Sequence, residues 1–272
     1  MTATALDLPD AAAPAPARAS AFAALMRRDL RALTRELPFF LLRTILQPLL
    51  FVVVFGAVMP RMGLVARGYG AAMLPGVLAL TLGLAAVQSV ALPLVQDFGW
   101  TREIEDRLLA PIPTGLLVAQ KVASGAIQAL FAASVVLPIA RLVMGPIAGL
   151  SPANLGVVLL VAVLGAVAFS AAGLVLGTAI QPQQIGLLFS AIITPTVFFG
   201  CAYYPWRGLD AVPVMKYLVL LNPLTYVAEG MRAVLTPGMP HMPLAAVLSA
   251  LAALAVVFSA LGVRGFRKRA FG

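Results

Sequence analysis

Glu229 and Arg232 stand three residues apart in the stretch Leu221 to Leu235, LNPLTYVAEGMRAVL. On a helix that spacing puts a carboxylate and a guanidinium on one face, close enough to pair. Asn222 is a good helix cap and Pro223 suits the first helical position. A helix is therefore expected from there to about Leu235, ended by Pro237-Gly238. The chemistry on offer is an ion pair set in an oily chain. Such a pair can gate a passage or anchor a short helix, and the residues leave both readings open.

The other dense charge lies between Asp97 and Pro113. It holds Asp97, Glu103, Glu105 and Asp106, four of the ten acidic residues. Trp100, Ile104 and Leu108 recur every four residues and form an apolar stripe. Arg102–Asp106 and Glu103–Arg107 are pairs four apart that support a helix. Asp97 is placed to cap its start, and Pro111 and Pro113 end it. The expected product is a short helix, 97–110, with one sticky face and one charged face. Burying the three apolar side chains is worth roughly 1.5–3 kcal/mol each. They can do so on the chain's own helices, in lipid headgroups, or in a groove of a soluble partner.

The remaining residues matter for what they exclude. All ten acids fall in the N-terminal tail, in loops or at the ends of apolar stretches. Carriers driven by protons or sodium usually hold carboxylates or His inside the membrane. His241 is the only His and lies in a loop. No Gly is followed by Lys, so the Gly-Lys pair of a phosphate-cradling loop is absent. Cys201 has no His beside it and reads as a buried apolar thiol. No catalytic residue and no metal site are expected. The net charge of +9 fits the basic bias of cytoplasmic loops better than a nucleic-acid partner. If this chain moves something, its energy arrives from outside, through a cytoplasmic contact. An ion-driven secondary transporter, or a membrane-embedded enzyme or assembly scaffold, is the alternative.

These residues must be positioned by membrane helices. The chain has 272 residues, 61% hydrophobic and 11% charged, with a mean hydropathy of +1.00. Soluble domains carry about 25% charged residues, so the expected class is an all-α polytopic membrane protein. Residues 1–19, rich in Ala and Pro, are expected to be a disordered tail and not a cleaved leader. Residues 20–37 place Phe22, Met26, Leu30, Leu33 and Leu37 on one arc and Arg27, Arg28, Arg31 and Arg35 on the other, the pattern of an interfacial helix. Six spans are expected at about 39–59, 71–95, 115–140, 155–180, 185–204 and 244–263. Arg43 is close enough to the inner end of the first to snorkel, and Pro48 should kink it. From Leu142 to Trp206 there are 65 residues without Asp, Glu, Lys or Arg, too many for one crossing, and Gln181 to Gln184 divide them. The apolar piece from Tyr217 to Ala228 is too short to cross, which favours a re-entrant segment at 217–235. With the N-terminus inside, 13 of the 19 basic residues (Arg18, Arg27, Arg28, Arg31, Arg35, Arg43, Arg102, Arg107, Lys121, Arg264, Arg267, Lys268 and Arg269) fall on the cytoplasmic side. Both termini are therefore expected there.

This layout resembles the membrane subunit of a type-2 ATP-binding-cassette (ABC) exporter, the class that includes drug-resistance and lipo-oligosaccharide export permeases. The helix 20–37 is similar to that family's interfacial elbow. Arg102-Glu103 through Arg107-Leu108-Leu109-Ala110-Pro111 resembles its coupling helix, although Ile104-Glu105-Asp106 stand where many members have Gly-Thr. Asn222, Pro223, Tyr226, Glu229 and Arg232 match its stretch before the last span. The resemblance implies a permease in the bacterial inner membrane, paired with a second permease copy, identical or paralogous, and with two ATPase subunits. ATP and Mg would bind those ATPases, and no cofactor would bind this chain. Cargo would be amphipathic, a drug, lipid or saccharide-bearing lipid. It would pass membrane lipids and the dimer interface, where the fifth span offers Ser190, Thr194, Thr196, Phe198, Phe199 and Tyr203.

Overall fold

The computed structural model describes residues 15–65, 69–99, 113–147 and 149–271, and all regular structure among them is helical. Helix α1 (Ala15–Arg35) is the amphipathic segment. Phe22, Met26, Leu30 and Leu33 are partly covered, and Arg27, Arg28, Arg31 and Arg35 are exposed. Helix α2 (Leu37–Arg61) runs on through Pro48, and its irregular turn is a π turn at Val54–Val58. Then follow α3 (Tyr69–Gly99), α4 (Thr114–Met144), α5 (Pro152–Ala179), α6 (Ile185–Phe198), α7 (Pro213–Leu221), α8 (Pro223–Leu235) and α9 (Leu244–Phe271).

Among the described residues, α2, α3, α4, α5 and α9 are long and apolar enough to cross a membrane. Helices α7 and α8 form a pair bent by 100° at Asn222, the geometry of a broken span or a re-entrant loop. The expected fifth span, 185–204, is shorter than its hydropathy suggests. Helix α6 has 14 residues, about 21 Å at 1.5 Å each, against a hydrocarbon core of about 30 Å. The chain turns at Gly200 and Cys201, where Cys201 adopts a left-handed φ of 52°. The residues after Phe198 are thereby spent on a turn beneath α8, where they meet Leu224.

Helix α3 is the hub, packed on α2, α4, α5 and α8, with Leu74, Leu82 and Leu94 fully buried. Small residues let its neighbours close in. A Cβ on Gly173 would lie 2.9 Å from the Val87 carbonyl, and one on Gly177 3.0 Å from Leu94. Close approach of this kind is how membrane helices gain dispersion energy without help from water. Helix α6, by contrast, leaves Ser190, Thr194 and Phe198 uncovered.

The bundle has two unlike ends. Asp29 of α1 meets Lys121 near the start of α4, and Arg267 of α9 donates to the Thr114 hydroxyl at 3.3 Å. The first and last helices therefore share one end, the basic one. At the other end the turn 199–205 and α8 sit on α3. Gly76 is the seat: a Cβ there would fall 1.7 Å from the Ala202 carbonyl oxygen. Gly76→Ala is expected to cost ~1–3 kcal/mol by overpacking, read as a lower melting temperature in detergent. An unchanged melting temperature would show that the turn does not bear on α3.

Candidate functional site

The bent segment is built by its own side chains. Asn222 caps α8, accepting the Leu224 N–H on Oδ1 at 3.0 Å. Its Nδ2 donates to the Thr196 carbonyl at 2.8 Å, tying the bend to the last turn of α6. A sharp bend strands the last carbonyls of α7. The Thr225 hydroxyl takes up the Val219 carbonyl and the Tyr226 hydroxyl the Leu220 carbonyl, both at 2.7 Å. Pro223 opens α8 without a wasted donor. Asn222, Pro223 and Tyr226 thus make the bend itself.

Glu229 and Arg232 pair inside this cap, 0% and 1% exposed. Glu229 Oε1 also accepts the Trp206 N–H at 2.9 Å, and Oε2 accepts the Met242 N–H at 2.8 Å. Arg232 Nη2 donates to the Cys201 carbonyl at 2.9 Å. One ion pair therefore stitches α8 to the turn after α6 and to the entry of α9. A buried pair is tolerable only when its lone pairs and protons are met in this way. Enclosed on all sides, the two side chains present charge to no solvent-filled space. Trp206, whose indole donates to the Lys216 carbonyl at 3.0 Å with the Lys216 ammonium 4.6 Å over the ring, closes the outer surface. Sequence reasoning missed these partners because the donors and acceptors at 201, 206 and 242 are backbone groups, which leave no signature in residue type.

At the basic end, Trp100, Arg102, Glu103, Ile104, Arg107 and Leu108 lie outside the described residues. What holds their flank is described. Asp97 is not the cap of a new helix; it lies in the last turn of α3 and is buried. The helix simply continues to Gly99, because Phe98 finds a place in the bundle. Asp97 Oδ2 is 4.0 Å from Lys121 Nζ, which is 3.6 Å from Asp29 Oδ2. Gln120 donates to the same Asp29 oxygen at 2.9 Å. This chain of charge joins α1, α3 and α4. Phe98 packs edge-on to Phe266 at 5.6 Å, with the Arg269 guanidinium 4.7 Å over its ring. Arg269 Nη1 donates to the carbonyls of Gly177, Thr178 and Ile180 at 3.0, 3.1 and 2.7 Å, capping the open C-terminus of α5. A Cβ on Gly99 would lie 2.0 Å from Pro182, in the loop between α5 and α6. The point where the charged segment leaves α3 is thus fastened to α4, α5 and α9. The sequence hinted at Asp97 and Lys121, charges at the ends of apolar runs, but not at the reach of Arg269 across 92 positions to Gly177.

The proposed path residues separate. Ser190, Thr194 and Phe198 form an uncovered stripe on α6, with Phe198 60% exposed and Phe199 41% exposed. Tyr203 instead turns inward, 5.3 Å from the Phe51 ring and 6.4 Å from Phe198. Behind α6 lies an apolar cavity of about 200 Å³, walled by Leu80, Val87, Phe169, Ile193, Val197 and Phe258. Among the described residues no three His, Cys, Asp or Glu side chains gather as a metal site.

A family model described as "ABC-2 type transporter" matches residues 20–236. Curated relatives named "Inner membrane transport permease YadH", from Escherichia coli K12, Escherichia coli O157:H7 and Shigella flexneri, are each 30% identical over 163 residues. The match covers 59% of this chain and 60% of each relative.

Proposed function

We propose, from the premise that this chain belongs to the ABC-2 type transporter family, that it is the permease half of an ATP-driven exporter. It is a multi-pass membrane protein of the permease kind. The finer reading is that it carries an amphipathic cargo, a drug, lipid or saccharide-bearing lipid, out of the cytoplasm or its inner leaflet. The basic end faces the cytoplasm, as loops rich in Lys and Arg do. Two ATPase subunits dock there, holding the ATP and Mg, and a second permease copy, identical or paralogous, completes the transporter in the inner membrane.

The single observation that carries this reading is the family match over residues 20–236. The geometry supports it mechanically. The charged segment 100–112 connects the fastened end of α3 to the start of α4. A push there moves Phe98, and through Phe98 and Arg269 it moves α9 and α5. On this reading Trp100, Ile104 and Leu108 enter a groove on the ATPase, while Arg102, Glu103 and Arg107 dress its rim. The uncovered face of α6 meets the second copy, with Ser190, Thr194, Phe198, Phe199 and Tyr203 toward the cargo. Glu229 and Arg232 hold the outer cap that cargo must pass.

The test is reconstitution. Vesicles holding the chain with a P-loop ATPase subunit from the same organism are expected to hydrolyse ATP, and to lose that activity when either protein is omitted. Uphill transport of a fluorescent amphiphile by the isolated chain under an ion gradient would overturn the exporter and favour a secondary carrier.

A further inference from the structure

Arg43 lies inside the first span, where the Glu36 carboxylate acts on it from beyond contact distance. A guanidinium within a span is costly unless it pairs or faces a polar cavity. Arg43 lines an open cavity of about 680 Å³ between α1, α2, α3 and α4 at the basic end. Its walls carry three cations, Arg28, Arg43 and Lys121, and three anions, Asp29, Glu36 and Asp97. Four of these are already engaged with one another: Arg28 with Asp29 at 3.7 Å, Asp29 with Lys121 at 3.6 Å, and Lys121 with Asp97 at 4.0 Å. The remaining two, Arg43 and Glu36, attract each other through space without contact and sit seven residues apart on one side of the hinge into α2. That is about 10 Å of helix rise, too far for a direct ion pair along the axis.

The rim continues into the membrane. Phe39, which lines the cavity, is 64% exposed, and Leu42, Leu46 and Leu50 follow it down α2 at 59%, 50% and 57%. They form a bare apolar lane that starts where the charges stop. A polar pocket in which one cation and one anion face each other without contact, opening onto such a lane, matches a molecule with a zwitterionic head and acyl tails. A phosphate takes the planar fork of Arg43, and basic pockets between spans are known receivers of lipid headgroups. A purely anionic head would satisfy Arg43 while repelling Glu36, Asp29 and Asp97.

We propose that this cavity is a phospholipid site within one protomer. It takes the phosphate–ammonium headgroup of a lipid from the leaflet at the basic end, phosphate on Arg43 and ammonium on Glu36, with the acyl chains along Phe39, Leu42, Leu46 and Leu50. This reading does not depend on the ATPase, so it stands or falls separately from the exporter assignment.

The experiment uses the purified full chain in mixed micelles of equimolar phosphatidylethanolamine and phosphatidylglycerol, with retained lipid counted by native mass spectrometry. Wild type is expected to retain phosphatidylethanolamine over phosphatidylglycerol by about tenfold, the worth of one charge-assisted contact. Arg43→Leu is expected to lose that retention, and Glu36→Gln to shift retention toward phosphatidylglycerol. Arg43→Lys, which keeps the charge without the fork, is expected to retain an intermediate amount and guards against misfolding of the Leu variant. Soluble phosphoethanolamine at matched concentration is expected to displace little lipid. Undiminished retention by Arg43→Leu, a wild-type preference for phosphatidylglycerol, or full displacement by the soluble headgroup would each overturn the proposal.

Discussion

Glu229→Ala is expected to destabilise the folded chain by about 3–5 kcal/mol, the usual cost of breaking a buried ion pair from one side. The variant removes three acceptor contacts at once. Arg232 keeps its charge at 1% exposure with no counter-ion, and the buried N–H groups of Trp206 and Met242 lose their acceptor. The Arg232 Nε is already without a partner, so the guanidinium has no reserve of hydrogen bonds. The cap should loosen as a unit, because residues 201–206, α8 and the entry to α9 share this one carboxylate. The check is melting in detergent together with proteolysis between residues 199 and 222. Arg232→Met should then cost less in the Glu229→Ala background than in wild type, with a coupling of up to about 3 kcal/mol. Additive effects would mean that the pair is not a coupled unit. Since the lesion lies at the far end from Asp97 and Phe98, on the exporter reading ATPase binding should survive while export falls.

The second large effect concerns the opposite end. Replacing Trp100, Ile104 and Leu108 together with Ala is expected to abolish co-purification of the ATPase while leaving membrane insertion intact. Removing three apolar anchors forfeits roughly 1.5–3 kcal/mol each, enough to carry a submicromolar complex into the millimolar range at about 1.4 kcal/mol per factor of ten. The fold should be indifferent, because α3 is fastened before these residues begin, by Phe98, Gly99 and Asp97. Full ATPase stimulation by the triple variant would remove this segment from the coupling role.

The two ends of the molecule were legible in the sequence to different depths. Hydropathy located α2, α3, α4, α5 and α9 to within several residues, because a run of apolar side chains is a direct statement about solvent. Asn222-Pro223 announced the start of α8 through local capping chemistry, and the spacing of Glu229 and Arg232 announced their pairing. Helix α6 was overestimated for a complementary reason. Residues 199–204 are as apolar as a span, yet they fold into a turn because the left-handed Cys201 and the contact of Gly200 with Leu224 are set by α8, which lies elsewhere in the sequence. Asp97 was read as a cap because capping is a local rule; its partner Lys121 belongs to the next helix. Arg43 read as a side chain snorkelling to the interface, and only the assembled walls of α1, α3 and α4 show the cavity it lines.

By itself, then, the sequence determined the membrane as solvent, the helical class, the rough place of the long apolar helices, and the two clusters where charge was retained. These follow from composition and from periodicities of a few residues, which any local stretch carries within itself. The tertiary structure alone decided which charges meet, that Glu229 serves three segments, that Arg269 caps α5 and that α1 and the C-terminal part of α9 share one end of the bundle. Those contacts join positions tens of residues apart through backbone carbonyls and amides, groups that every residue possesses and no sequence can single out.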